Sequence, residues 1–152
     1  WKTLAANYGG APHYKAISEI LEPIYLTEEH RSLSHLNRVL IEVICRYLNI
    51  KTALKNSWDY TLGAGKTERL VDLCLQARAN TYVSGPAAKD YLDVQMFEGR
   101  GLSVRWHDYS GYPEYPQLWG TFEHGVSILD LLFNCGPGSR KYMKLSPDRS
   151  AF

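Results

Sequence analysis

Charge of one sign is what this sequence lacks first: 17 Lys and Arg stand against 16 Asp and Glu, a formal net charge of +1. Without a basic excess there is no electrostatic case for binding nucleic acid or an anionic membrane surface. Long apolar runs are missing too. A membrane-spanning helix needs about 18 predominantly apolar residues, and the nearest approach, Val126–Cys135, is interrupted by Ser127, Asp130 and Asn134. No secretory leader, internal repeat or low-complexity tract is visible. Cysteine is scarce: Cys45, Cys74 and Cys135 are odd in number and far apart, with no C-x-x-C and no Cys/His spacing suited to zinc. That argues against a disulfide framework and for reduced, buried thiols in a cytoplasmic protein.

What is present is ordinary globular material. Hydrophobic residues make up 45% and charged residues 22% of 152 residues, which excludes disorder and suffices for one core. Trp1–Tyr8 reads as a helix tail stopped by Gly9-Gly10, so the chain is expected to be a fragment of a larger α/β domain. A helix is expected over roughly His13–Leu21, ended or kinked by Pro23. Ser34–Leu48 carries the strongest helical stripe, Leu36, Val39, Leu40, Val43, Ile44 and Leu48, with Asn49 suited to the position after it. Ile50–Ser57 is a candidate strand and Thr67–Ala77 an amphipathic helix. Thr81–Ser84 and Leu102–Trp106 read as strands, Ala87–Leu92 as a short helix, and Val126–Phe133 as the last helix, closed by Gly136-Pro137-Gly138. The alternation predicts an α/β fold with a mostly parallel sheet flanked by helices. The domain is expected to end near residue 136, with 137–152 a flexible tail.

In parallel sheets ligands gather at the carboxyl ends of strands, and two segments fall there. Ser84-Gly85-Pro86 joins a strand to a helix. Ser84 could be a capping hydroxyl or a nucleophile, and Gly85 lets a neighbour approach the backbone. Lys89 and Asp90, one turn on, could hold a substrate carboxylate or hydroxyl, or form a solvated helix face. His107-Asp108-Tyr109 follows the second strand. His107 has the chemistry of a general base with Asp108 beside it, although lone histidines are usually structural or solvated. Tyr109, Tyr112, Tyr115 and Trp119, interleaved with Gly111, Pro113 and Pro116, could wall a sugar or base, or simply pack on the core.

Gly63-Ala64-Gly65-Lys66-Thr67 invites a phosphate-loop reading, but the pattern G-x-x-x-x-G-K-S/T needs glycine at position 60, which is Tyr60. Lys66 and Thr67 are left as a helix entry or a weaker hold on one anionic group. Glu123, His124 and Asp130 lack the spacing of a metal site, so no metal is expected. Asp130, in an otherwise apolar helix, must face water or pair internally, with Arg69 and Arg105 as candidate partners.

Two blocks go further. One runs from Thr67-Glu68-Arg69-Leu70 to Tyr82-Val83-Ser84-Gly85-Pro86-Ala87-Ala88-Lys89-Asp90-Tyr91-Leu92. The other joins Asp108-Tyr109, Tyr115-Pro116-Gln117-Leu118-Trp119-Gly120 and Ser127-Ile128-Leu129-Asp130-Leu131-Leu132-Phe133-Asn134-Cys135-Gly136. Together they resemble the WbqC-like protein family, from Trp1 to about Gly136. Family members carry an N-terminal Q-P-x-Y-L-P type motif that this chain does not show, which again suggests truncation. The resemblance implies a bacterial cytoplasmic protein of surface-polysaccharide (O-antigen, lipopolysaccharide) biosynthesis, transferring glycine, another aminoacyl group or an acyl group to an amino sugar. It names no cofactor. The implied partner is a small-molecule or nucleotide-sugar substrate. The alternative is a non-catalytic sugar- or nucleotide-binding or assembly module of the same pathway.

Overall fold

The computed structural model describes residues 1–27, 29–30 and 32–144. Six α-helices and two strands are found among them: α1 (Lys2–Tyr8), α2 (Tyr14–Leu26), α3 (Leu33–Tyr47), α4 (Lys66–Gln76), β1 (Thr81–Ser84), α5 (Val94–Glu98), β2 (Ser103–Trp106) and α6 (Ile128–Cys135). Short 3-10 turns cover Ser57–Asp59, Pro86–Asp90 and Gly136–Tyr142. The fold is α/β, with a parallel sheet of two strands. The chain divides into two compact units. One joins Trp1–Thr52 to the chain from Gly111 onward, and the other is the continuous stretch Ala53–Ser110.

The first unit is helical. Ile17, Leu21 and Ile24 share one face of α2 and bury with Ala11, Leu48, Leu132 and Phe133. The half-buried stripe of α3 packs on the same core, so its apolar spacing has the expected outcome. Helix α2 does not stop at Pro23 but continues to Leu26. An internal proline costs about 3 kcal/mol, but stopping there would expose Ile24, which is 3% accessible. The helix ends one turn later, where both the amide and the hydroxyl of Thr27 donate to the Pro23 carbonyl at 2.9 and 2.7 Å. Helix α3 ends in a paired cap: Asn49 takes a positive φ of 51°, its amide donates to the Arg46 carbonyl, and the Ile50 amide donates to the Cys45 carbonyl.

Helix α6 starts at Ile128, where Ser127 Oγ accepts from the Leu129 amide. It stops at Gly136, whose φ of 49° and ψ of −126° only glycine adopts without strain. The expected loose tail does not begin there. Gly136–Tyr142 is a 3-10 turn with Ser139 fully buried, its hydroxyl donating to the Gly136 carbonyl at 2.6 Å. The Arg140 guanidinium donates to the Leu48 and Asn49 carbonyls at 2.9 and 3.1 Å. The rest of that expectation, from 145 on, lies outside the described residues.

The second unit packs α4, α5 and the sheet around Val71, Cys74, Ala88, Leu92, Phe97 and Leu102. The strands pair in register from Thr81 opposite Ser103 to Ser84 opposite Trp106. Tyr82 stacks on Phe97, ring centres 5.1 Å apart. The strand expected over Ile50–Ser57 is not formed. That stretch is irregular, and Asn56 instead opens the Ser57–Asp59 turn through a reciprocal cap with Asp59. The short helix expected over Ala87–Leu92 forms as the 3-10 turn Pro86–Asp90. Helix α5, absent from the sequence reading, is capped by Asp93, which accepts from the Met96 amide.

Candidate functional site

Parallel pairing places the carboxyl ends of β1 and β2 side by side, because Ser84 lies opposite Trp106. The ladder runs one residue further: the His107 amide donates to the Ser84 carbonyl at 2.7 Å. The structure therefore brings Ser84, Gly85, His107 and Tyr109 together. Gly85 has φ −70° and ψ 154°, an extended conformation open to any residue. A Cβ added there would lie 3.4 Å from Tyr109 Oη. Tyr109 is 63% exposed, and its ring meets the His107 imidazole edge to face at 4.6 Å. Asp108 accepts the Ser110 amide on Oδ1 at 2.9 Å, the local turn that short acidic side chains favour. Lys89 reaches the same strand end, its ammonium 5.8 Å from the centre of the Trp106 ring.

The Gly63–Thr67 segment is built otherwise. The Gly63 amide donates to Asp72 Oδ2 at 2.8 Å. A Cβ on Gly65 would collide with the Glu68 carboxylate, which folds back over the start of α4. Two carboxylates thus stand where a phosphate loop would hold its anion. Thr67 is buried, and its hydroxyl accepts the Asp93 amide at 3.4 Å. Lys66 opens α4 and stays exposed.

Tyr115 belongs to the first unit, where its hydroxyl donates to Asp130 Oδ1 at 2.7 Å. Its ring packs edge-on against Phe122 and Tyr142. Asp130, 7% exposed, also accepts from Gln117 Nε2 at 3.0 Å and, on Oδ2, from the Tyr8 hydroxyl at 3.1 Å. So the acid does pair internally, but with Tyr8, Tyr115 and Gln117 and not with Arg69 or Arg105. Burial and then the hydrogen bond to Asp130 push the Tyr115 phenol far above its ordinary range. Tyr8 is raised by burial and then by the Asp130 charge. The same two causes raise the Cys135 thiol, and burial alone raises Cys74. Neither thiol is poised as a nucleophile. The sequence reading missed Tyr8 and Gln117. The available signal was an acid inside an apolar helix beside a Y-P-Q segment whose Tyr115 and Gln117, two apart in an extended stretch, point the same way.

Among the described residues no three His, Cys, Asp or Glu side chains are grouped to hold a metal ion, and no helix is long and apolar enough to cross a membrane. The model of the WbqC-like protein family matches residues 1–142. The chain is 54% identical over 144 residues to a Mycobacterium tuberculosis protein named uncharacterized protein Rv1507c, covering 95% of this chain and 62% of that one. The chain thus spans less than two thirds of the length of this curated relative. No solved structure matches it. With the family model extending over both units and through the Gly136–Tyr142 turn, this chain belongs to the WbqC-like protein family.

Proposed function

We propose that the β1–β2 carboxyl end binds a sugar substrate, and that the protein transfers an acyl or aminoacyl group, glycine among them, to an amino sugar during bacterial surface-polysaccharide (O-antigen) synthesis in the cytoplasm. One observation carries this reading: the ladder bond from the His107 amide to the Ser84 carbonyl, which puts an imidazole, an exposed phenol and a glycine backbone at one strand end. Strand ends of parallel sheets are where such folds hold ligands. In the proposed step the sugar amine attacks the donor carbonyl. The C–N bond forms and the donor C–X bond breaks. His107 takes the amine proton and returns it to the leaving group. Tyr109 offers its ring to the sugar face, and Gly85 leaves its backbone open to the substrate.

The test incubates the chain with activated glycine or acetyl donors and a nucleotide-linked amino sugar, with mass spectrometry for the N-acylated product. Product lost in His107→Asn, with the melting temperature kept, supports the reading. Product formed equally by His107→Asn refutes His107 as base. The second reading is a binding or assembly module without catalysis. It predicts sugar binding with no product from any donor.

A further inference from the structure

We propose that the strand-end surface selects an anionic ligand, a phosphate or pyrophosphate joined to a ring, with Lys89 as its counter-charge. The inference rests on the reading of that surface as a ligand site and adds the class of ligand. Lys89 is exposed, and its ammonium lies over the Trp106 indole at 5.8 Å from the ring centre. Such a contact at an exposed position is worth about 0.5–1 kcal/mol, enough to bias a long side chain toward one place. Trp106 ends β2 opposite Ser84, so the cation is held at the carboxyl end of the sheet.

No ion pair of Lys89 is found among the described residues; the salt bridge seen there joins Arg38 to Glu42. Of the acids nearest in sequence, Asp90 follows Lys89 directly and is exposed, and Asp108 places Oδ1 on the Ser110 amide. A cation over Trp106 with no ion pair among the described residues, at the sheet end that also carries the exposed Tyr109 ring and Gly85, suits an anion and a flat or pyranose ring on one molecule. The start of α4 is the opposite case. There Glu68 already covers the helix start and Asp72 already takes the Gly63 amide, so Lys66 has a carboxylate neighbourhood that repels a phosphate. Between the two lysines, the geometry favours Lys89 as the one that meets the ligand's charge.

The experiment titrates the chain by calorimetry with four probes: UDP-N-acetylglucosamine, UDP, inorganic pyrophosphate and neutral N-acetylglucosamine. Lys89→Gln, Lys89→Arg and Gly85→Ala are run beside the unsubstituted chain, each with its melting temperature. The expected result is at least tenfold weaker UDP-N-acetylglucosamine binding in Lys89→Gln, near-normal binding in Lys89→Arg, and a salt dependence that Lys89→Gln flattens. Neutral N-acetylglucosamine should bind more weakly than the UDP conjugate and be indifferent to Lys89→Gln. Equal affinity in Lys89→Gln, with Gly85→Ala still weakening the complex, overturns the anion proposal and leaves the site standing. Binding untouched by both substitutions, or no binding of any probe, overturns the site reading and the proposal with it.

Discussion

Replacing Gly85 by alanine separates a ligand surface from a folding turn. Glycine is often required where φ is positive, but Gly85 has φ −70° and ψ 154°, which alanine adopts freely. The added methyl carbon would meet Tyr109 Oη at 3.4 Å and Cε2 at 3.8 Å, ordinary contact distances, and the phenol is 63% exposed and free to give. The fold therefore loses nothing. The unfolded chain loses freedom, so Gly85→Ala should stabilise by about 0.4–1 kcal/mol. For a chain of this size that moves the melting temperature by about +1 to +4 °C. A ligand that lies against the bare backbone meets the methyl directly. A tenfold loss of affinity, about 1.4 kcal/mol, is the expected scale. Thermal unfolding by circular dichroism and a UDP-N-acetylglucosamine titration read the two quantities on one sample. A fall of more than about 5 °C would mean that the turn needs its glycine for folding, a loss of roughly 1 kcal/mol or more that the conformation does not predict. Unchanged affinity would mean that nothing approaches the backbone there.

Arg78 closes α4 with φ 54°, its amide bonded to the Leu75 carbonyl and the Ala79 amide to the Cys74 carbonyl. A side chain in that conformation costs about 1 kcal/mol, so Arg78→Gly should stabilise the chain by roughly half of that once glycine's unfolded-state entropy is counted, read by urea denaturation. Gly136→Ala should do the reverse, by 3 kcal/mol or more on the order of strain plus collision, because φ is 49° and a Cβ would strike the His13 ring. Asp130→Ala removes the acceptor of Tyr8, Tyr115 and Gln117 and should cost about 3 kcal/mol, with Asp130→Asn costing less; equal stability of Asp130→Ala would show that the three donors find water at no loss. In alkali, Tyr8 and Tyr115 hold their protons above the ordinary tyrosine value of 10.0. Their contribution is therefore complete below pH 10 and is lost as pH rises through the higher folded-state values. Phenolate absorbance at 295 nm should show a late-titrating fraction that shrinks in Tyr115→Phe.

The sheet was legible because Thr81-Tyr82-Val83 and Val104-Arg105-Trp106 combine β-branched and aromatic residues between turn signals. Helix α3 was legible from its stripe, and its cap from Asn49. What escaped depends on partners far along the chain. Pro23 marks a helix end locally, yet burial of Ile24 against Phe133 and its neighbours carries the helix past it. Residues 137–142 read as a tail because Gly136-Pro137-Gly138 breaks α6. Only the Arg140 bonds to Leu48 and Asn49 show why they are held. At the candidate site the strand ends could be placed from sequence, since parallel pairing follows from the α/β alternation. The division among aromatics could not. Tyr109 and Tyr115 look alike in the Tyr/Pro stretch, but Tyr115 is drawn to a buried acid and Tyr109 stays in water. The difference between Lys66 and Lys89 is equally hidden, because it lies in where the Glu68 carboxylate folds and in the Trp106 ring that the Lys89 ammonium meets.

The split of the first unit around the continuous stretch Ala53–Ser110 has a kinetic consequence. Closing a loop costs entropy that grows with the logarithm of its length. The Tyr8–Asp130 bond joins residues 122 apart in sequence, whereas the β1–β2 ladder joins Thr81 to Ser103. The inserted stretch therefore has the shorter closures, and α6 must come back across it to complete the core of α2 and α3. High contact order of this kind slows folding. The 53–110 stretch should acquire amide protection first in pulse-labelled hydrogen exchange, with α2 and α6 acquiring theirs together and later. On the ribosome, the apolar face of α2 would wait for Phe133 to emerge. The interval in which Ile17, Leu21 and Ile24 stand uncovered is then set by the length of the insertion and not by the strength of the core they finally join.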